Sequence, residues 1–303
     1  MRALSLRNRL LSLLQDPPPE YLFELSEAGI AHARRGRDFQ IGFTSLPPGV
    51  LAVSPLQDNV LQPDILAAQV RSLAPDSAGR KRRAGLILPD YCGRVAVLDF
   101  DAFPSVSAEQ LSLIRFRIRK TVPFDVDSAV IQHYVQPRHG KRFDVVVGVI
   151  AMEIVARYEA PFRAAGFYPG LITTSTLAAL CMLAPPEDSR HGIRLMAKLS
   201  GRVLTVSVLE GASLKVLRCV ELSEVSASEI HGILYPTIAY VEDSLAAKPS
   251  VLLLCGFEVL GAQDHAAWQS ELGVPVELLQ SRHGTPGQHR AGLFGLIDSL
   301  EEF

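Results

Sequence analysis

The stretch LIRFRIRKTVPFDVDSAVIQHYV (Leu113 to Val135) ends a cationic helix on Val122-Pro123-Phe124 and passes through Asp125 into a strand. The helix reads back to Ser107, where Ser107 and Gln110 have the spacing of a capping box, each side chain within reach of the other's free amide. Leu111, Ile114 and Ile118 make one apolar stripe, with Arg115 and Arg119 one turn apart on its flank and Arg117 and Lys120 beside them. A cation at the carboxyl end of a helix gains about 0.3–1 kcal/mol from the helix dipole. Four of them exceed what capping needs.

Downstream, VIQHYV (Val130 to Val135) and FDVVVGVIA (Phe143 to Ala151) read as paired strands across the polar turn Arg138 to Arg142, the second strand apolar on both faces. Met152 to Ala165 is a helix stopped at Gly166; YPGLIT is a strand and Ser175 to Leu183 a helix. Upstream lie strands Ala84 to Pro89 and Val95 to Phe100. Before them come two or three short strands in YLFELSE, GIAHARR and FQIGFTSLP, a turn at Pro47-Pro48-Gly49, and a helix over Pro63 to Leu73, opened by Pro63 and Asp64. Beyond a linker at Pro185-Pro186-Glu187-Asp188, the strands IRLMAKL, VLTVSVL and LKVLRCVEL precede a helix near Ser226 to Ser244, a buried strand VLLLCGF and a Gly-containing helix around Ala291 to Leu300.

Sheet then helix, twice over, describes a two-lobed α/β protein with a smaller β-α-β-β-α subdomain inserted in the first lobe. The expected division is an N-terminal amphipathic helix and Pro linker at 1–19, a first lobe from 20–93 plus 167–188, the insert at 94–166 and a second lobe at 189–303. In the leading segment Ala3, Leu6, Leu10, Leu13 and Leu14 share one side, and Arg2, Ser5, Arg9 and Ser12 the other. Docking on the protein's own body or a neighbouring chain is the favoured reading, and peripheral contact with an anionic membrane through residues 2–15 the alternative. Pro17, Pro18 and Pro19 end that helix.

The whole chain has 303 residues, 48% apolar and 20% charged, with a net charge of −2, which excludes disordered, collagen-like and disulfide-scaffold classes. Cys92, Cys181, Cys219 and Cys255 lie far apart without CxxC or zinc-ligand spacing, as suits a reducing compartment. No apolar run approaches the roughly 18 residues of a membrane span. Residues 71 to 120 hold ten Lys/Arg against five Asp/Glu, among them the basic run Arg80-Lys81-Arg82-Arg83, a local excess that suits an acidic peptide or membrane surface better than nucleic acid. The eight histidines, His32, His133, His139, His191, His231, His265, His283 and His289, have no fixed Ser, Cys or Asp partner in the sequence. No GxSxG elbow, Walker loop or HExxH helix is present, so hydrolase, P-loop and zincin readings have no motif.

Together with ILPDYCGRVAVLDFDAFP (Ile87 to Pro104) and VVVGVIAMEIVARYEAPFRAAGFYPGLITTSTLAAL (Val145 to Leu180), the opening stretch resembles the PilM family, the cytoplasmic actin-like proteins of type IV pilus assembly, over about 280 residues. The resemblance implies an actin-like, FtsA-like fold and a scaffold rather than an enzyme. It implies a cytoplasmic location at the inner membrane, where the family binds the short N-terminal tail of its membrane partner PilN between the first lobe and its insert. Here Leu88, Pro89, Arg115, Phe116, Arg117, Arg119, Val122, Pro123 and Phe124 are expected to line that peptide site, an apolar groove with a cationic edge, although each apolar one also fits a place in the core. The alternatives are an ATP-binding actin-fold component of a pilus or a GspL-like type II secretion system, and an actin-fold phosphotransferase.

Nucleotide sites of this fold need acids and glycines at two strand turns and glycines at a third. Where the family typically reads D-I-G-S-S-S-I-K, this chain has Glu24-Leu25-Ser26-Glu27-Ala28-Gly29-Ile30-Ala31. Lys198 stands where an Asp is expected and Ser200 where a Gly is expected. The adenosine turn is Cys255-Gly256-Phe257, one glycine left and a bulky ring added. The expectation is a degenerate nucleotide site at Glu24, Ser26, Lys198, Ser200 and Gly256, no resident cofactor or metal, ATP/Mg binding weak or absent, and no hydrolysis.

Overall fold

The structure, a computed structural model, describes residues 18–74, 82–136, 142–183 and 192–301. The leading amphipathic helix, Arg80 and Lys81 of the basic run, positions 138–141 of the expected turn, the 185–188 linker, His139 and His191 lie outside them.

Two five-stranded sheets repeat one plan. In the first, β1 (Tyr21–Ser26), β2 (Gly29–Arg35) and β3 (Phe39–Ser45) form an antiparallel meander; α1 (Pro63–Ser72) crosses back, and β4 (Arg82–Leu88) joins parallel to β1, with β8 (Phe167–Thr174) parallel to β4 at the edge. In the second, β9 (Ile193–Ser200), β10 (Val203–Glu210) and β11 (Ser213–Glu221) make the meander; α5 (Ala227–Leu245) crosses, and β12 (Pro249–Cys255) and β13 (Val276–Leu278) extend the sheet in parallel, with α6 (Ala262–Leu272) between them. Ser226 caps α5, its hydroxyl accepting from the Glu229 amide. α6 and β13 were not among the sequence-based expectations.

The third sheet, three-stranded, orders β5 (Arg94–Phe100), β7 (Phe143–Ala151) and β6 (Ala129–Val135), with α2 (Ser107–Ile118) before β6. On β7, Val145, Val147 and Val149 point to α2 and pack with Ile114 and Ile118. Val146, Gly148 and Ile150 point the other way, since successive strand residues face opposite sides. The expected capping box does not form: the helix begins at Ser107 itself, and the Gln110 amide instead donates to the Pro104 carbonyl at 2.7 Å while its oxygen pairs with His133 at 3.1 Å.

α3 (Met152–Ala164), placed by sequence at the end of the insert, buries Ile154, Tyr158 and Phe162 in the first-lobe core with Phe23, Leu86 and Phe167. Its place in the first lobe matches that of α6 in the second. The next pair in the repeat, α4 (Ser175–Ala179) and α7 (Ala291–Glu301), meet face to face. Gly292 and Gly295 make that approach possible, because a Cβ at either would overlap the backbone at Ser175 or Ala178.

Among the described residues the insert meets the second lobe where β5 lies against β11, and side chains tie the two together. Gln136 exchanges two hydrogen bonds with the backbone of Leu214, its amide donating to the carbonyl and its oxygen accepting from the amide, each at 2.7 Å. Lys215 pairs with Asp144 at 2.9 Å and Glu210 at 3.3 Å.

Candidate functional site

Duplication of the sheet sets Glu24 on β1 and Lys198 on β9 at matching positions, each two residues before the end of its lobe's first strand. Both face the cleft between the lobes, about 500 Å³, which is also lined by Ser26, Glu27, Pro89, Asp90, Ser200, Gly201, Arg202, Gln288 and His289. Four of the five residues expected at a degenerate nucleotide site, Glu24, Ser26, Lys198 and Ser200, therefore do converge. Asp90, in the turn after β4, is the member that sequence reasoning missed.

The polar atoms at the cleft floor are bound to one another. Asp90 accepts from the Thr176 amide at 2.7 Å, the Thr176 hydroxyl at 2.6 Å, Lys198 Nζ at 2.9 Å and the Thr205 hydroxyl at 3.3 Å. Glu24 accepts from the Ser175 hydroxyl, the Gly292 amide at 3.2 Å and the Leu293 amide at 2.7 Å. It thus caps the first turn of α7, whose amides lack helical partners. Burial pushes the Glu24 carboxyl above its ordinary range, against the opposing pull of Lys198 and of its three donors. Burial drags the Lys198 ammonium down, but Asp90 and Glu24 together outweigh it and the net movement is upward. A divalent cation seeking carboxylate oxygen here would have to displace Lys198 from Asp90.

At the third turn, Gly256 has φ +81°, and a Cβ would overlap the Leu199 carbonyl. Phe257, the ring added at this turn, is buried in the second-lobe core, edge-on to Trp268 at 5.8 Å.

The nine residues expected to line a peptide site do not form one surface. Leu88 is wholly buried in the first-lobe core and Pro89 lines the inter-lobe cleft. Arg115 is half-buried, while Phe116 is 77% exposed. Arg117 lies over the Phe100 ring and pairs with Asp99 at 3.3 Å, and Arg119 pairs with Asp127 at 2.7 Å. Val122 packs on the insert core. Pro123 and Phe124 do meet, in a cavity of about 390 Å³ against Tyr91, Arg94 and Leu217. The physical reason is the β7 alternation, which puts α2 and its cations on one side of the insert sheet.

On the other side runs an apolar groove of about 550 Å³, between Val130, Tyr134, Val146, Gly148 and Ile150 of the insert and residues 170–174 of β8, with Arg94 at its margin. The usable sequence signal was FDVVVGVIA itself, a strand apolar on both faces with a single helix available to cover it.

Two like sheets, each opened by an antiparallel meander and extended in parallel, with a cleft between their first strands, define the actin-like ATPase fold. The chain is similar to the "PilM-PilN type IV pilus biogenesis complex", at 17% identity and a TM-score of 0.75, over 93% of this chain and 98% of that one. It is also similar to a Bacteroides thetaiotaomicron protein of actin-like ATPase fold and unknown function, at 12% identity and a TM-score of 0.58, over 92% and 95% of the two chains. The fold is thus that of a PilM-like actin-fold protein. No protein-family model matches the chain, and no curated protein matches its sequence. Among the described residues, no helix is long and apolar enough to cross a membrane.

Proposed function

We propose that the chain is a scaffold of type IV pilus assembly, peripheral to the cytoplasmic face of the inner membrane, that captures the extended N-terminal tail of a PilN-like membrane protein and catalyses no reaction. The observation that carries this reading is the groove between the insert and β8. β8 ends the first sheet, and a sheet edge offers unpaired backbone groups to an incoming extended segment. The facing strand supplies an apolar wall for alternate side chains, and Tyr134 stands 62% exposed beside it. This moves the proposed tail site from the α2 residues to the opposite face of the insert sheet. Occupation of the cleft floor by the Lys198–Asp90 pair supports the non-catalytic part of the reading.

The test is a fluorescence titration with a labelled peptide of about the first ten residues of a PilN-like membrane protein. Gly148 lines the groove and has nothing within 4 Å of where a Cβ would stand, so Gly148→Phe has room for its Cβ and sends a ring into the groove. Binding by wild type, with at least a tenfold loss in Gly148→Phe and little change in Arg117→Glu, is the expected result. Loss in Phe124→Ala alone would return the site to the α2 side. The second reading, an ATP-binding actin-fold protein, rests on the size of the inter-lobe cleft; saturable micromolar Mg-ATP binding by calorimetry would favour it.

A further inference from the structure

Away from both the cleft and the groove, the tight turn after β13 meets the carboxyl-terminal half of α7. Ser281 and Gly284 exchange two backbone hydrogen bonds, at 3.1 and 3.0 Å, and the turn presents His283 to Asp298 and Glu301, three residues apart on one face of the helix. His283 Nε2 lies 3.6 Å from Asp298 Oδ1 and 3.5 Å from Glu301 Oε2. These separations exceed the roughly 2.7–3.2 Å of an N–H···O hydrogen bond. Around a tetrahedral ion with bonds of about 2.1 Å, ligand atoms stand about 3.4 Å apart. All three donor atoms fall within 4.8 Å of one another.

A second observation points to a ligand. Asp298 is 7% exposed, and both its Oδ1 and His283 Nε2 are buried atoms without a hydrogen-bond partner. Its other oxygen accepts from the Ser281 hydroxyl at 3.4 Å, and that hydroxyl in turn accepts from the His283 amide at 3.1 Å. Ser281 thus orients the carboxylate and leaves Oδ1 aimed at the imidazole, the kind of outer support that metal ligands receive. The Phe294 ring, 5.9 Å from the imidazole, backs it from the helix side.

We propose that His283, Asp298 and Glu301 bind one divalent transition-metal ion, zinc by preference, through one imidazole nitrogen and two carboxylate oxygens, leaving a fourth position open. One nitrogen and two oxygens suit zinc better than magnesium, which favours an all-oxygen octahedron. The ion acts as a clasp. The turn follows the last strand of the second sheet, and α7 is the second-lobe helix that packs on α4 of the first lobe, so one ion would fix α7 to its own lobe's sheet edge, on the side away from the insert. Nothing in this rests on the scaffold reading.

The test uses the full chain, stripped with a chelator and dialysed. Zinc is titrated in competition with a chromophoric chelator, and cobalt(II) is followed by its visible absorption. One zinc per chain is expected, with an intense tetrahedral-type cobalt spectrum, unaffected by millimolar magnesium. His283→Gln and Glu301→Gln, both chosen outside the fully buried core, should each weaken zinc at least tenfold, abolish the cobalt band and remove the zinc-induced rise in Tm. Their metal-free melting curves report folding separately. Zinc affinity and cobalt spectrum unchanged by both variants, or no stoichiometric binding at micromolar zinc, would overturn the proposal and leave the cluster as a packing contact between the turn and α7.

Discussion

Lys198 Nζ lies 2.9 Å from Asp90 Oδ2 across the cleft, with side chains only 2% and 5% exposed. The pair joins β9 of the second lobe to the turn after β4 of the first, and the Thr176 and Thr205 hydroxyls complete the carboxylate's hydrogen bonds. Such a pair is close to neutral for stability when intact, because desolvation offsets attraction, but losing one partner strands the other charge.

Lys198→Met should therefore destabilise the protein by about 3–5 kcal/mol, whereas Lys198→Met combined with Asp90→Leu should lose less than Lys198→Met alone. Urea unfolding of the single and double variants measures this. An unchanged midpoint for Lys198→Met would show that the pair does not hold the cleft.

Glu24 gives a pH signature. A carboxyl whose folded pKa is raised contributes stability that is full below its unfolded value, about 4.3, and is lost as pH rises through the folded value. Glu24→Gln removes this slope at the expense of one well-accepted amide bond from α7. The Tm of Glu24→Gln relative to wild type should rise as pH climbs from about 4 through that raised value. Parallel melting profiles would contradict the direction of the shift.

Gln136 substitutes for a strand partner of Leu214, satisfying both of its backbone groups. Gln136→Ala should cost about 1–3 kcal/mol by leaving buried groups unpaired. Hydrogen exchange should accelerate at the β5–β11 junction and leave the β6–β7 pairing protected. Uniform acceleration across the insert would mean that the bond supports the fold of the insert rather than its docking.

The thiols should separate by reactivity. Cys92 and Cys255 are buried, and burial first of all pushes both thiols up, Cys255 to about 12; Cys181 is exposed. Iodoacetamide at neutral pH should label Cys181 in the native protein and reach Cys92 and Cys255 only on unfolding. Mass spectrometry of peptides from native and denatured samples checks the order.

Much of the architecture is legible along the chain because it is written in short-range terms. Period-2 and period-3.6 patterns, Pro63 with Asp64, Gly166 and the apolar run at Val251 to Phe257 mark strands, helices and stops within a few residues of themselves. α6 and β13 escaped because AQDHAAWQSEL is mostly polar, with Trp268 and Leu272 its buried residues, and VEL is too short to show a period. α3 reads as part of the insert because it follows β7 directly; its packing partners Phe23 and Leu86 are far upstream.

The sequence by itself determined that two similar lobes carry an extra module and that the first-strand turns hold Glu24, Ser26, Lys198 and Ser200 in place of the usual acids and glycines. Those are properties of residue type and order. Tertiary structure alone decided that Asp90 takes Lys198 as its counter-ion, that Phe257 turns into the core, and that α2 and the apolar groove lie on opposite faces of one sheet. Each of these depends on which strands become neighbours and which way a given residue points, and a one-residue change of register would reverse the second kind of fact while leaving the hydrophobic pattern of the chain untouched.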